Sequence, residues 1–396
     1  MKRYVFICLL VLFAFSALSA QITFSGVLDS AVSMSAGAGD SPPFSLGFEE
    51  YANIRFQSRL REGAVINGAV NLFAVAGTGA ALAQIPGTGF VAGDYFAAAI
   101  ELERLHFRLS GEYIDFNGGL MRIPFGYGQV FGPSDFLNPR NPLKPDARLR
   151  AVLGATISWY PVDELKLLGF FAAPRNAFAQ GGEGSLFGIS MDYHWDIASL
   201  QALYSYEVPS AGSGYGVHRA GISFKADIEA GLHLDALYTY DHEAGTTYDG
   251  LSISAGADYS FFDGNLIILV EYLYSGSKSS TSIFNGGSFF NNHFLYTGFT
   301  YMFSDFTSMN VTLLSCFDDI SFTPVISVNH ELFQGVTLTV TAQLPLDRDL
   351  FAANGSRGEF GPVRPDNMQP HDEETGKLIG RYGNYFNCNA KIRIRF

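Results

Sequence analysis

The chain has 396 residues and a formal net charge of −13, from 25 Lys and Arg against 38 Asp and Glu. That acidic balance excludes a general nucleic-acid binder, because no basic stripe exists to neutralise phosphates. Charged residues make up only 16% of the chain, against roughly 25% in typical soluble domains, while aromatics reach 15% and glycine 43 residues. Its three cysteines, Cys8, Cys316 and Cys388, support neither a disulfide framework nor a cysteine-based zinc site.

The chain opens on a short basic stretch, Lys2 and Arg3, followed by an uncharged apolar run from Tyr4 to Phe15 and small residues up to Ala20. This reads as a secretory signal peptide, 1–20, cut after Ala20 or Ser19, because it is too short for the ~20 residues a spanning helix needs. Its removal leaves 23 basic and 38 acidic side chains, a net charge of −15. Past Ala20 no apolar stretch approaches helical spanning length. The remaining choices are a soluble exported protein and a closed transmembrane barrel.

From there the chain alternates with period two. Leu251, Ile253, Ala255, Ala257, Tyr259 and Phe261 share one face of a strand, while Ser252, Ser254, Gly256, Asp258 and Ser260 share the other. Expected strands run over 21–32, 50–60, 63–76, 98–109, 112–122, 148–160, 164–173, 185–195, 197–207, 217–226, 231–241, 250–261, 265–275, 293–303, 306–316, 320–330, 335–344 and 384–396. Phase slips at Glu103–Arg104, which predicts a bulge, and Pro324 predicts that 320–330 is partly loop.

Three features favour a barrel over a sandwich. The runs are about ten residues long, the length a tilted strand needs to cross a bilayer core, where soluble strands average nearer five or six. Short turns, as at Pro161–Asp163, Phe262–Gly264, Ser304–Asp305 and Phe333–Gly335, alternate with long polar segments around 33–48, 77–97, 122–147, 241–249, 275–292 and 345–382. Aromatics gather at strand ends: Trp159, Tyr160, Trp195, Phe261, Phe262 and Phe303 by short turns, and Tyr204, Tyr206, Tyr238, Tyr240, Tyr272 and Tyr274 toward the long loops. The expectation is an all-β fold in which 21–396 form a single closed antiparallel transmembrane barrel of about 18 strands, with 16 as the alternative.

The last strand alternates without error. Phe386, Cys388, Ala390, Ile392, Ile394 and Phe396 face one way, and Asn387, Asn389, Lys391, Arg393 and Arg395 the other. A chain ending on an aromatic at the close of such a strand resembles the Gram-negative outer-membrane barrel porins, whose C-terminal strand is read by the barrel-assembly machinery. That resemblance implies an assembly signal at Phe396, an outer-membrane location in contact with its lipid, and the homotrimer often found among porins of this size. It also implies passage of small hydrophilic solutes.

A barrel of that strand number leaves an aqueous channel instead of a filled core. The expected lining includes Asn53, Arg55, Gln57 and Arg59 on one strand and Arg148, Arg150, Thr156 and Ser158 on another. Arg219, Ser223 and Lys225 line a third, answered by Asp192, Asp235 and Asp258. The segment 122–147 combines Gly126, Gly128 and Gly132 with four prolines and the apolar Ile123, Phe125, Tyr127, Phe131 and Phe136. Fixed turns carrying apolar side chains need a surface to pack on, so this segment is expected to fold against the inner wall. It resembles the constriction loop of general porins. Arg122, Arg140, Lys144, Arg148 and Arg150 would then face Asp135 and Asp146 at the narrowest point, a local positive excess that favours anions weakly. The charged 345–382 stretch reads as an exposed loop, a lid or a receptor surface.

No GxSxG, HExxH or paired-His spacing appears, so no enzyme, metal site or cofactor is expected. The alternative is an outer-membrane transporter for hydrophobic or amphiphilic compounds, though such a transporter of the fatty-acid type would carry a plug before its first strand, whereas alternation here begins at Ile22. A surface adhesin or structural barrel remains the other rival.

Overall fold

The computed structural model describes residues 21–36, 44–77, 90–91, 96–140, 142, 151–174, 184–209, 216–241, 250–276, 291–318, 320–346 and 386–396. Residues 1–20, expected to be a signal peptide, and Lys144, Asp146, Arg148, Arg150 and the 345–382 segment beyond Leu346 lie outside the described residues.

Among the described residues nineteen strands form one sheet. They are β1 (Gln21–Ala36), β2 (Phe44–Arg61), β3 (Ala64–Gly77), β4 (Phe90–Val91), β5 (Phe96–Ser110), β6 (Ile114–Met121), β7 (Val152–Val162), β8 (Leu165–Ala172), β9 (Leu186–His194) and β10 (Ala198–Glu207). There follow β11 (Val217–Asp227), β12 (Gly231–Asp241), β13 (Leu251–Phe261), β14 (Leu266–Ser275), β15 (His293–Ser304), β16 (Thr307–Cys316), β17 (Ser321–Phe333), β18 (Val336–Gln343) and β19 (Phe386–Arg395). The two-residue β4 pairs with β5 alone, at Phe90↔Ala98 and Val91↔Ala97. The other eighteen pair antiparallel around a circle that shuts where β19 lies between β18 and β1.

Closure follows from chemistry, since a strand edge in hydrocarbon would leave its N–H and C=O groups unpaired. At the seam Val27↔Arg395 begins a register that runs to Ala36↔Phe386. Beyond it Gly26 N donates to Phe396 O at 2.8 Å, and Phe396 N to Gly26 O at 3.1 Å. The Phe396 ring lies over Gly26, where a β-carbon would collide with it and with the Asn53 carbonyl. The last residue is therefore built into the first strand.

Registers sort the side chains into two faces. Leu232, Leu234, Ile222, Ile189, Ile157, Val340 and Ile392 share the outer one and are exposed. Asn53, Asn71, Asp192, Ser223, Asp235 and Ser254 share the inner one and are buried. Glu50 is an outer-face carboxylate, bonded by Ser30 Oγ at 2.7 Å. Trp159, Trp195, Phe261, Phe262 and Phe303 are exposed at the short-turn end, and Tyr204 and Tyr240 toward the other end.

The turn after β13 is tight enough to put Phe262 and Asp263 at φ of 53° and 56°, with Gly264 at 89°. The expected bulge is present: β5 skips from Leu102 to Arg104 opposite the adjacent Val70 and Ala69 of β3, which turns the Glu103 carboxylate inward.

Two sequence expectations are corrected. β1 and β2 extend into the stretch read as loop, because Met34↔Leu46 and Val32↔Phe48 continue the outer apolar face. β17 is a strand throughout. Pro324 sits opposite Leu313, and its carbonyl accepts from Leu344 just past the end of β18, so the missing donor falls where that ladder stops. Cys316 is buried on the inner face and Cys388 lies on the outer one; neither is in a disulfide among the described residues.

Gly26→Val should destabilise the barrel by about 1–3 kcal/mol through overpacking at the seam. The check is the midpoint of the gel-mobility shift between folded and heat-unfolded protein, and an unchanged midpoint would contradict the packing described.

Candidate functional site

The site begins where β6 stops. After Met121 the chain turns into the barrel, and residues 122–140 lie against the inner faces of strands from β5 to β16. Two apolar contacts seat the segment. Met121, Ile123 and Phe125 pack with Leu168, Phe170, Ala172, Leu186, Leu203 and Leu237. Farther along, Phe131 enters a second group with Leu273, Phe294, Leu314 and Cys316. The Phe125 and Phe170 ring centroids are 4.7 Å apart, and the Arg219 guanidinium stands 5.1 Å from the Phe136 ring centroid. These wall residues hold inward positions that would otherwise face water, so segment and wall cover each other's apolar surface.

Polar anchors fix the register of the segment. Glu271, 0% exposed, accepts three successive backbone N–H groups: Gln129 at 3.1 Å, Val130 at 2.9 Å and Phe131 at 2.8 Å. Asp235, also 0% exposed, accepts from Ser134 N at 3.2 Å, from Ser134 Oγ, and from Ser223 Oγ at 2.7 Å. Gly126 N donates to Gln201 Oε1 at 2.7 Å. Gly126 has φ of 79° and passes so close to the Asp235 carboxylate that a β-carbon could not fit. His233 Nε2 stands 3.1 Å from Glu271. A buried carboxylate that accepts several N–H groups avoids the cost of an unpaired charge.

Arg122, at the root of the segment, donates to Glu103 at 3.0 Å. Arg140 Nη1 donates to the carbonyls of Gly128 at 3.1 Å and Gln129 at 2.7 Å, tying the segment to itself. Arg55 donates to Asn53, and Arg59 is exposed on the inner face of β2.

Asp135 departs from the expected arrangement. It was expected to line water opposite the cations, and it is 2% exposed beneath the segment. Its Oδ1 accepts from Phe125 N at 3.4 Å, while Oδ2 has no hydrogen-bond partner among the described residues. Burial, and to a lesser degree the neighbouring Asp235, push its carboxyl up to about 7, with Arg140 opposing. Burial and Asp192 likewise push Tyr127 up to about 12.

Sequence reasoning missed Glu271 entirely. The available signal was a lone acid at an inward position of an otherwise apolar strand, LIILVEYLYS. Asp235 was read only as a wall charge.

The segment leaves a cavity of about 380 Å³ bordered by Tyr127, Gln129, Arg140, Lys225, His233 and Asp258. Gln129 Nε2 donates to Asp258 at 2.7 Å across it. Among the described residues no group of three or more His, Cys, Asp or Glu is placed to hold a metal ion.

No family model and no curated protein sequence matches the chain. Solved structures do. The outer membrane protein OpdK from Pseudomonas aeruginosa superposes with a TM-score of 0.56 at 9% identity, over 95% of this chain and 98% of that one. OccAB4 from Acinetobacter baumannii gives 0.56 at 10% identity, with the same 95% and 98% coverage. OccAB3 from the same organism gives 0.55 at 8%, over 95% and 99%. The chain has the fold of a large outer-membrane porin. Within that porin fold, identities this low speak of architecture alone, and function has to come from the residues inside.

Two predictions follow the anchors. Glu271→Ala removes the acceptor of three backbone N–H groups, so amide exchange at Gln129–Phe131 should accelerate by about a hundredfold or more, measured by hydrogen–deuterium exchange on protein in detergent. The Asp135 effect has a definite sign. The seated segment holds the proton up to about pH 7, whereas a released one loses it near the ordinary carboxylate value of 3.8. Seating is therefore strongest in acid, weakens as pH rises through that window, and is level above it. Asp135→Asn should flatten the dependence, read as exchange protection against pH.

Proposed function

We propose that this protein is an outer-membrane porin, a water-filled channel for passive diffusion of small hydrophilic solutes, with a weak preference for anions. One observation carries the preference: two buried acids on one side of the lumen, Asp235 and Glu271, are consumed by the inward segment, while arginines on the other side face water. From β12 to β18 the described strands contain no Lys or Arg, and Asp235 and Glu271 are both engaged with the segment's backbone. Across from them, β2, β5 and β19 present Arg55, Arg59, Arg104, Arg108, Lys391 and Arg395 on the inner face, beside an Arg393 that is paired with Asp29 at 2.8 Å. A solute passing the segment would meet a field directed across the pore, with the mobile share of charge positive.

In this reading residues 122–140 form the constriction, with Arg122 and Arg140 at its edge and Asp135 acting beneath it. Lys144, Asp146, Arg148 and Arg150 complete the constriction in the same proposal. Export through a cleaved signal peptide, contact with outer-membrane lipid, recognition of the Phe396 strand by the assembly machinery, and a homotrimer belong to it as well.

The test is the reversal potential of purified protein in a planar bilayer under a tenfold salt gradient. A small anion-favouring potential is expected, and a cation-favouring one would contradict the assignment. Liposome swelling in sugar solutions separates a channel from a closed structural barrel, which admits no sugar.

A further inference from the structure

The inner wall carries a second arrangement of charge, away from the apolar seats of the segment. Three adjacent strands set it out by register alone. Arg55 on β2 lies opposite Ala69 on β3, which lies opposite Arg104 on β5. Two rungs toward the short turns, Arg59 lies opposite Val65, and Val65 opposite Arg108. The rung between holds Gln57, Asn67 and His106. Four guanidinium groups therefore mark the corners of a rectangle about 10 Å across and about 13 Å along the strands, by ordinary strand spacing and rise. Its floor is neutral.

The charge is undercompensated. Arg104 reaches Glu103 at 3.1 Å, an acid that Arg122 shares at 3.0 Å, and Arg108 reaches Asp115 at 2.8 Å. Arg55 donates to an amide oxygen, and Arg59 has no carboxylate within ion-pair distance among the described residues. The Arg108 side chain keeps 52% of its surface open. Each guanidinium offers five N–H donors, so the ion pairs made here leave donors over. The upper pair stands level with the root of the inward segment. The lower pair precedes the turns at Glu62–Gly63 and at 111–113. The rectangle thus occupies the vestibule between constriction and short-turn mouth.

We propose that this rectangle is a binding subsite for anions carrying two linked phosphoryl groups. Guanidinium forks match phosphoryl oxygens in pairs. A single carboxylate meets one row, whereas a diphosphate reaches from the β2 row to the β5 row across β3. The subsite rests on the channel reading and adds to it a class of solute that lingers on the short-turn side of the constriction.

The probe is inorganic pyrophosphate, with succinate as a dicarboxylate comparison, added to either side of a planar bilayer holding the open channel. Pyrophosphate should block the ion current at lower concentration than succinate, and more effectively from the short-turn side. The double substitution Arg55→Gln with Arg59→Gln should raise its half-blocking concentration about tenfold or more. Equal block by succinate, or block unaltered by the arginine substitutions, would overturn the subsite while leaving the channel standing. Protein that folds yet carries no current would overturn the channel reading itself.

Discussion

Everything in this molecule depends on pairing every backbone donor and acceptor that meets hydrocarbon. A bilayer core offers no water to an orphaned N–H group, so a sheet can cross only if its two edges find each other. Here β19 supplies the missing neighbour to both β18 and β1, and the exchange between Gly26 and Phe396 carries the ladder to the final residue. Once the circle is closed the side chains have only two places to go. Apolar residues take the outside, and the interior is left to polar groups and to whatever the chain folds into it.

What the chain folds into it reverses the usual economy of a loop. Residues 122–140 bring apolar side chains to a wall that has apolar inward positions waiting for them, and backbone N–H groups to two carboxylates on strands that carry no Lys or Arg. Those N–H groups stand in for the missing cations. The acids are held by N–H donors and, at Glu271, by the neighbouring His233, and the arginines of β2 and β5 are not drawn across the lumen to do it. Segment placement and charge asymmetry are thus one fact seen from two sides.

Much of the architecture was legible in the sequence because strand alternation is a local property. Leu251–Phe261 and Phe386–Phe396 each declare both faces without reference to any neighbour, and the phase slip at Glu103 announces its bulge. Pro324 misled because its cost depends on where the adjacent strand ends, which no local window contains. The site was legible in part. That 122–147 needed a packing surface could be argued from its own composition, but which wall residues would hold it could not. Glu271 lies about 140 positions from the amides it binds. Asp135, read as a pore charge from its arginine-rich surroundings, is buried because the turn beginning at Gly132 directs it beneath the segment.

The most direct measurement of the central claim is a spin-label scan of single cysteines along β18, from Val336 to Gln343, in lipid bilayers. Labels at Val336, Leu338, Val340 and Ala342 should be relaxed mainly by oxygen dissolved in hydrocarbon. Labels at Thr337, Thr339, Thr341 and Gln343 should answer to a water-soluble nickel chelate, with the two signals alternating along the strand. Uniform access to the chelate at all eight positions, or no alternation at all, would contradict a cylinder with lipid outside and water within.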